Sequence, residues 1–293
     1  MKETGREPGL ESRPCKFREK PGYPDKVMRA PLIDIGINLG HESFDHDRCA
    51  VLEAAWEAGL VAMILTGTCL HASQKASALA STHPRLYSTA GVHPHDAASW
   101  RKDTSDALRT LLALDHVVAV GETGLDYYRD FSPRDQQRAA LCAQLELAVE
   151  TRLPVFLHQR DAHVDFLPIL TEYRSSLSRA VVHCFTGTRD ELEDYLALDM
   201  HIGITGWVCD ERRGIHLAEM LQDIPKDRLM IETDSPYLLP RTIIPKPKSR
   251  RNVPANLVWV LQMVAQCLQL STEELARQTT TNAGDFFGIP TLL

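Results

Sequence analysis

Residues 117–126 read Val-Val-Ala-Val-Gly-Glu-Thr-Gly-Leu-Asp, and residues 154–161 read Pro-Val-Phe-Leu-His-Gln-Arg-Asp. Each opens as an apolar run without polar alternation and closes on charged or polar side chains. A strand wetted on one face alternates; a run that is apolar throughout suits a strand covered on both faces, as in parallel sheets. Between the two lies an amphipathic stretch at 133–151, which opens on Ser132-Pro133, an N-cap and first-turn pair. The segment therefore reads strand, helix, strand.

The same beat runs outward in both directions. Candidate strands are Leu32–Asn38, Val61–Gly67, Arg85–His93, Val117–Glu122, Pro154–His158, Ala180–His183, Met200–Thr205 and Arg228–Asp234. Candidate helices cover 45–58, 71–82, 103–114, 133–151, 163–175, 188–198, 214–223 and 253–269. A further helix at 272–286 starts on Ser271, a good N-cap. Eight strand–helix units predict a parallel α/β sheet, and eight is the number that closes a TIM barrel. A doubly wound open sheet is the alternative. It usually carries a glycine-rich phosphate turn after its first strand, and Asp34-Ile-Gly-Ile-Asn38 is not one. The expected fold is a single (β/α)8 TIM barrel with an extra C-terminal helix, spanning residues 30–293.

Residues 1–29 differ. They hold eight Lys/Arg, five Asp/Glu and four prolines, too little apolar surface to offset the entropy of ordering. They are expected to form a disordered extension. The whole chain of 293 residues carries −7, so the barrel portion carries −10 once the +3 tail is set aside. That balance disfavours coating duplex DNA through a broad positive face. Seven scattered cysteines without a CxxC pair argue for reduced thiols and a cytoplasmic location. No apolar run approaches the ~18–20 residues of a membrane span.

In a barrel the C-terminal strand ends converge on one mouth, where catalytic groups sit. Four of those ends supply Glu122, His158, His183 and Asp234. Imidazoles and carboxylates hold divalent cations in hydrolases. A lone strand-end histidine is more often a hydrogen-bonded core residue; four such side chains at equivalent places on different strands form a metal-ligand set. Candidate anion contacts are His93, Arg160, and Arg250 and Arg251 of the loop Pro240–Arg251, which has five basic and no acidic residues. Phosphates could be held there without reading bases. Trp207 and Tyr237 are candidate stacking rings, with packing the commoner role for each.

The motifs DIGINL, GVHPH, GETGLD, FLHQRDAH, HCFTGT, GITGWVCDERRG, ETDSPYLLP and SRRNVP occur in that order. Together they resemble the TatD family of metal-dependent deoxyribonucleases, over Leu32 to Ile289. The resemblance implies a metallo-dependent hydrolase barrel, metal on Glu122, His158, His183 and Asp234, and a monomer. Most of the wider family carries His-x-His after the first strand, whereas Gly36 and Asn38 stand at those places here. Asp34 and Asn38 are then a remnant of a second-metal site, and loss of imidazole tilts the site toward Mg²⁺. The implied activity is 3′→5′ exonucleolytic hydrolysis of single-stranded DNA, with RNA as a second substrate and DNA repair as a setting. Glu122 and Asp234 carry the catalysis, Asp234 as acceptor of the water proton. Two other classes stay open: a metal-dependent hydrolase of C–N or ester bonds, such as a small amide or an aminoacyl-tRNA ester, and a non-catalytic binding protein with a decayed site.

Overall fold

Eight parallel strands take their neighbours in chain order, each joined to the next by helices. The elements are β1 (Leu32–Ile37), α1 (Arg48–Glu57), β2 (Leu60–Leu65), α2 (Leu70–Ala80), β3 (Leu86–Ala90), α3 (Lys102–Leu112), β4 (Val117–Asp126) and α4 (Arg134–Thr151). There follow β5 (Val155–Arg160), α5 (His163–Tyr173), β6 (Ala180–Val182), α6 (Arg189–Ala197), β7 (His201–Ile204), α7 (Ile215–Met220), β8 (Leu229–Ile231), α8 (Leu257–Leu268) and α9 (Thr272–Phe287). The structure, a computed structural model, describes residues 30–291. The expected extension 1–29 lies outside the described residues.

Strand order β1 to β8 is that of the barrel and excludes the doubly wound sheet. Ile33, Ile35, Ala62, Ile64, Val118, Phe156, Val181 and Met230 form one buried cluster with Phe286, Phe287 and Ile289 at the end of α9. The C-terminal helix thus packs its end on side chains of the strands. A second, larger cluster joins the strands to the surrounding helices. This double covering explains why the strands read as unbroken apolar runs.

The seam between β8 and β1 carries an isolated bridge, Ile37 to Ser235, with backbone bonds from Asp234 N–H to the Gly36 carbonyl and from Asn38 N–H to the Ser235 carbonyl. Polar side chains complete it. Asp34 accepts from the Thr233 backbone N–H at 2.9 Å and from its hydroxyl at 2.6 Å. Next to these, Thr280 of α9 donates to the Pro31 carbonyl, and Asn282 donates to those of Lys226 and Leu229. The last helix therefore ties together the starts of the first and last strands.

Three expectations change in detail. Strand β4 runs to Asp126, four residues past Glu122, because Gly124, Leu125 and Asp126 stay paired with His158, Gln159 and Arg160. Strand β8 stops at Ile231; beyond it the chain keeps isolated backbone bonds, Glu232 N–H to the Ile204 carbonyl and Asp234 N–H to that of Gly36, beside the Asp34–Thr233 side-chain bonds. Ser132 does not cap α4: its hydroxyl donates to the His95 carbonyl at 2.8 Å and accepts from Ala98 N–H at 3.0 Å. Its chemistry ties the helix start to the loop after β3. The Ser271 cap is as expected, accepting from Glu274 N–H.

Candidate metal centre at the barrel mouth

Glu122 on β4 is the hub. Its Oε1 lies 2.7 Å from His183 Nε2, 3.0 Å from His158 Nδ1 and 3.3 Å from His93 Nε2. His158 is on β5, His183 follows β6, and His93 lies three residues beyond β3, so four strand ends deliver one carboxylate and three imidazoles. The backbone makes this approach possible. Gly124 has φ +154°, and a Cβ there would fall 1.8 Å from the His158 carbonyl oxygen. Only glycine lets β4 pass so close to β5. Phe156, buried in the barrel, stacks against His183 with ring centres 4.6 Å apart.

Burial works against the Glu122 anion, yet His183, His93 and His158 around it hold its carboxyl well below the usual range. Burial likewise opposes protonation of His183, and Glu122 and Glu232 overcome it, raising this imidazole well above its ordinary value. His158 is raised in the same sense, burial being outweighed by Asp126 and Glu122. His93 goes the other way: burial, with His158 and His95 beside it, pushes it down to about 4.

Two carboxylates not assigned from the sequence support this hub. Asp126 Oδ2 sits 2.8 Å from His95 Nε2 and 3.4 Å from His158 Nε2. Its Oδ1 accepts from the backbone N–H groups of Tyr128 and Arg129. Glu232 is fully buried; its Oε1 accepts from Cys184 N–H at 2.5 Å, and its Oε2 lies 3.3 Å from His183 Nδ1. A carboxylate on the far nitrogen of a ligating histidine, as Glu232 is on His183, fixes tautomer and ring orientation. Period-2 spacing was the missed signal: Asp126 shares a strand face with Glu122 and Gly124, and Glu232 has the parity of Asp234.

Asp234 is fixed by Asn38, whose amide donates to Oδ1 at 3.0 Å. Burial, with Glu122 and Glu232 nearby, raises its carboxyl to about 7 against the opposing pull of His183. Asp34 is no open ligand. It is fully buried, spent on the seam, and burial raises its carboxyl well above the usual range. At Gly36, a Cβ would meet Glu232 Oε2 at 2.3 Å, so the Glu232 carboxylate fills the space beside that strand. Arg251 is also engaged elsewhere: its guanidinium pairs with Asp47 at 2.5 and 2.8 Å and lies over Phe44. Arg250 is exposed, and Tyr237 is exposed with its ring edge-on to His41. Arg160 lies over the Tyr128 ring, with Cζ 4.0 Å from its centre.

The donor set fits a divalent cation. His93, Glu122 and His158 each offer one ligand atom, all within 4.8 Å of one another. His158 Nε2 is buried without a hydrogen bond, its distance to Asp126 notwithstanding. Nitrogen and carboxylate donors packed so closely are what hydrolytic metal sites use.

A closed parallel barrel with a carboxylate–imidazole centre at its C-terminal mouth defines the class: a (β/α)8 hydrolase of metal-binding type. The sequence pattern of the TatD related DNases matches residues 33–288. A protein of Enterobacter lignolyticus named 3′-5′ ssDNA/RNA exonuclease TatD is 52% identical over 258 residues, 88% of this chain and 99% of that one. Its namesake in Escherichia coli K12 is 48% identical over the same length, again covering 88% and 99%. Among solved structures, a hydrolase of the TatD family from Entamoeba histolytica superposes with a TM-score of 0.80 at 28% identity, over 89% of this chain and 99% of that one. The chain belongs to the TatD family of DNases, and it is an enzyme of the nuclease class.

Proposed function

We propose that the protein is a Mg²⁺-dependent 3′→5′ exonuclease acting on ends of single-stranded DNA, and on RNA ends as a second substrate. The observation that carries this reading is the hub itself: Glu122 Oε1 within 3.3 Å of three imidazoles, with Asp234 fixed beside it in a chain half identical to named exonucleases.

Glu122, His158 and His183 would hold the metal together with His93, which the sequence suggested as a phosphate contact and which lies against Glu122 instead, with Asp234 at its edge. Bound there, a divalent ion polarises a phosphoryl oxygen and lowers the cost of deprotonating water. The residues do the rest. Asp234 Oδ1 is aimed by the Asn38 amide and accepts the proton of the attacking water. Glu232 holds His183 by its Nδ1, and Asp126 holds His95 and the backbone of the following turn, so the mouth needs no reorganisation when charge develops on the phosphate. Arg160 contacts the phosphate as a cation without a carboxylate partner among the described residues. The exposed Arg250 supplies a more distant positive charge, whereas Arg251 is assigned to holding the loop through Asp47. An acidic body with a narrow mouth favours strand ends over duplex.

The test is degradation of 5′-labelled single strands with Mg²⁺. A ladder shortening from the 3′ end is expected, lost with EDTA and reduced at least ~100-fold in Glu122→Ala. Equal shortening by the variant would refute the assignment.

A further inference from the structure

Beside the Glu122 hub the mouth continues into a cleft of about 280 Å³. His158 lines one part of it, and Tyr128, Arg160, Trp207, Arg213 and His216 line others. Two cation–ring pairs stand in this lining. Arg160 Cζ is 4.0 Å from the Tyr128 ring centre, and Arg213 Cζ is 4.5 Å from that of Trp207. Arg213 is anchored by Asp210, which steadies its plane. Tyr128 is 58% exposed, although the ring is large and apolar. The other strongly exposed aromatic rings among the described residues are Phe131 and Tyr237, and both also follow the strand ends that face the mouth.

A cleft built only for phosphate would converge charges and dispense with rings. A cleft built for an aliphatic group would not spend two guanidinium planes on its lining. Aromatic and guanidinium planes together are the surfaces on which nucleobases stack, with little regard to sequence. The volume is near the ~300 Å³ lower end of ligand pockets, room for one nucleotide unit and not for a run of them. We infer that this cleft seats the base of the terminal nucleotide, flanked by the Tyr128–Arg160 and Trp207–Arg213 pairs, while that nucleotide's own phosphate meets Arg160 and the His158 side of the hub. Cleavage 5′ of that unit would leave a nucleoside 5′-monophosphate in the cleft. The inference rests on the nuclease reading above.

Two measurements on the whole chain test it. The first uses tryptophan fluorescence and calorimetry in EDTA, with dAMP and 2-deoxyribose 5-phosphate as probes. The cleft predicts that dAMP quenches and binds about tenfold or more tightly than the base-free sugar phosphate. Trp207→Leu should lose the quench and weaken dAMP about tenfold; Arg213→Ala gives the same comparison if the first variant fails to fold by circular dichroism. Equal binding of the two probes, or dAMP binding indifferent to both substitutions, overturns the cleft. The second compares removal of a normal and an abasic 3′-terminal unit with Mg²⁺, where about tenfold faster removal of the normal unit is expected. Equal rates overturn the cleft and leave the nuclease reading standing. If neither strand is shortened, the nuclease reading fails, and the dAMP comparison alone decides the cleft.

Discussion

Glu232 touches no candidate substrate position, yet it reaches the ring nitrogen of His183 that faces away from Glu122. The carboxylate is fully buried and reaches both His183 Nδ1 and Cys184 N–H. Glu232→Gln keeps the volume and weakens the acceptor. It should lower metal affinity by ~10–100-fold, as loss of such supporting carboxylates does elsewhere, with the fold intact by circular dichroism; calorimetric Mn²⁺ titration reads this directly. Asp34 teaches the opposite lesson. Its place in the chain suggested a vacated metal site, but Thr233 consumes both of its oxygens. From sequence, a carboxylate near a strand end reads as a ligand; only the partner nearly 200 positions away reveals a seam. Arg251 misleads in the same way, since Asp47 is equally remote in sequence.

Elements were legible where the burial pattern was plain. Among the described residues, all eight strands and the nine α-helices fall where the apolar runs and helical spacing put them. The errors lie at ends governed by tertiary contact: β4 outruns its apolar run because its glycines let it hug β5, and β8 stops early where its regular ladder gives way to isolated backbone bonds and the Asp34–Thr233 pair. Gly124 makes the point testable. With φ +154° and a Cβ that would sit 1.8 Å from the His158 carbonyl oxygen, Gly124→Ala must push β4 away from β5. A loss of about 3 kcal/mol or more is expected, read from urea unfolding. A change of a few tenths would show that the strand has room.

At the scale of the molecule, the barrel is a closed sheet fastened by α9 at one end and opened to chemistry at the other. His201, at the start of β7, sits at the fastened end with its ring 4.9 Å from Phe286. Its Nδ1 is buried without a hydrogen bond, and burial pushes its pKa down to about 4. Between that value and the unfolded ~6.5, the unfolded chain binds the extra proton. Stability from this group is therefore whole above ~6.5 and is lost as the pH falls toward 4, by on the order of 2 kcal/mol after allowance for partial exposure. Denaturant midpoints from pH 7 to 4 should fall less steeply in His201→Leu than in the parent; parallel slopes would remove His201 from the account.

The central claim is that strand ends far apart in sequence assemble one divalent-metal centre around Glu122. Electron paramagnetic resonance of Mn²⁺ titrated into the intact chain tests it most directly. Binding of Mn²⁺ with nitrogen hyperfine coupling from imidazole is expected, and both should vanish in Glu122→Ala. A free-ion Mn²⁺ spectrum in the parent chain, or a bound signal unchanged by Glu122→Ala, would contradict it.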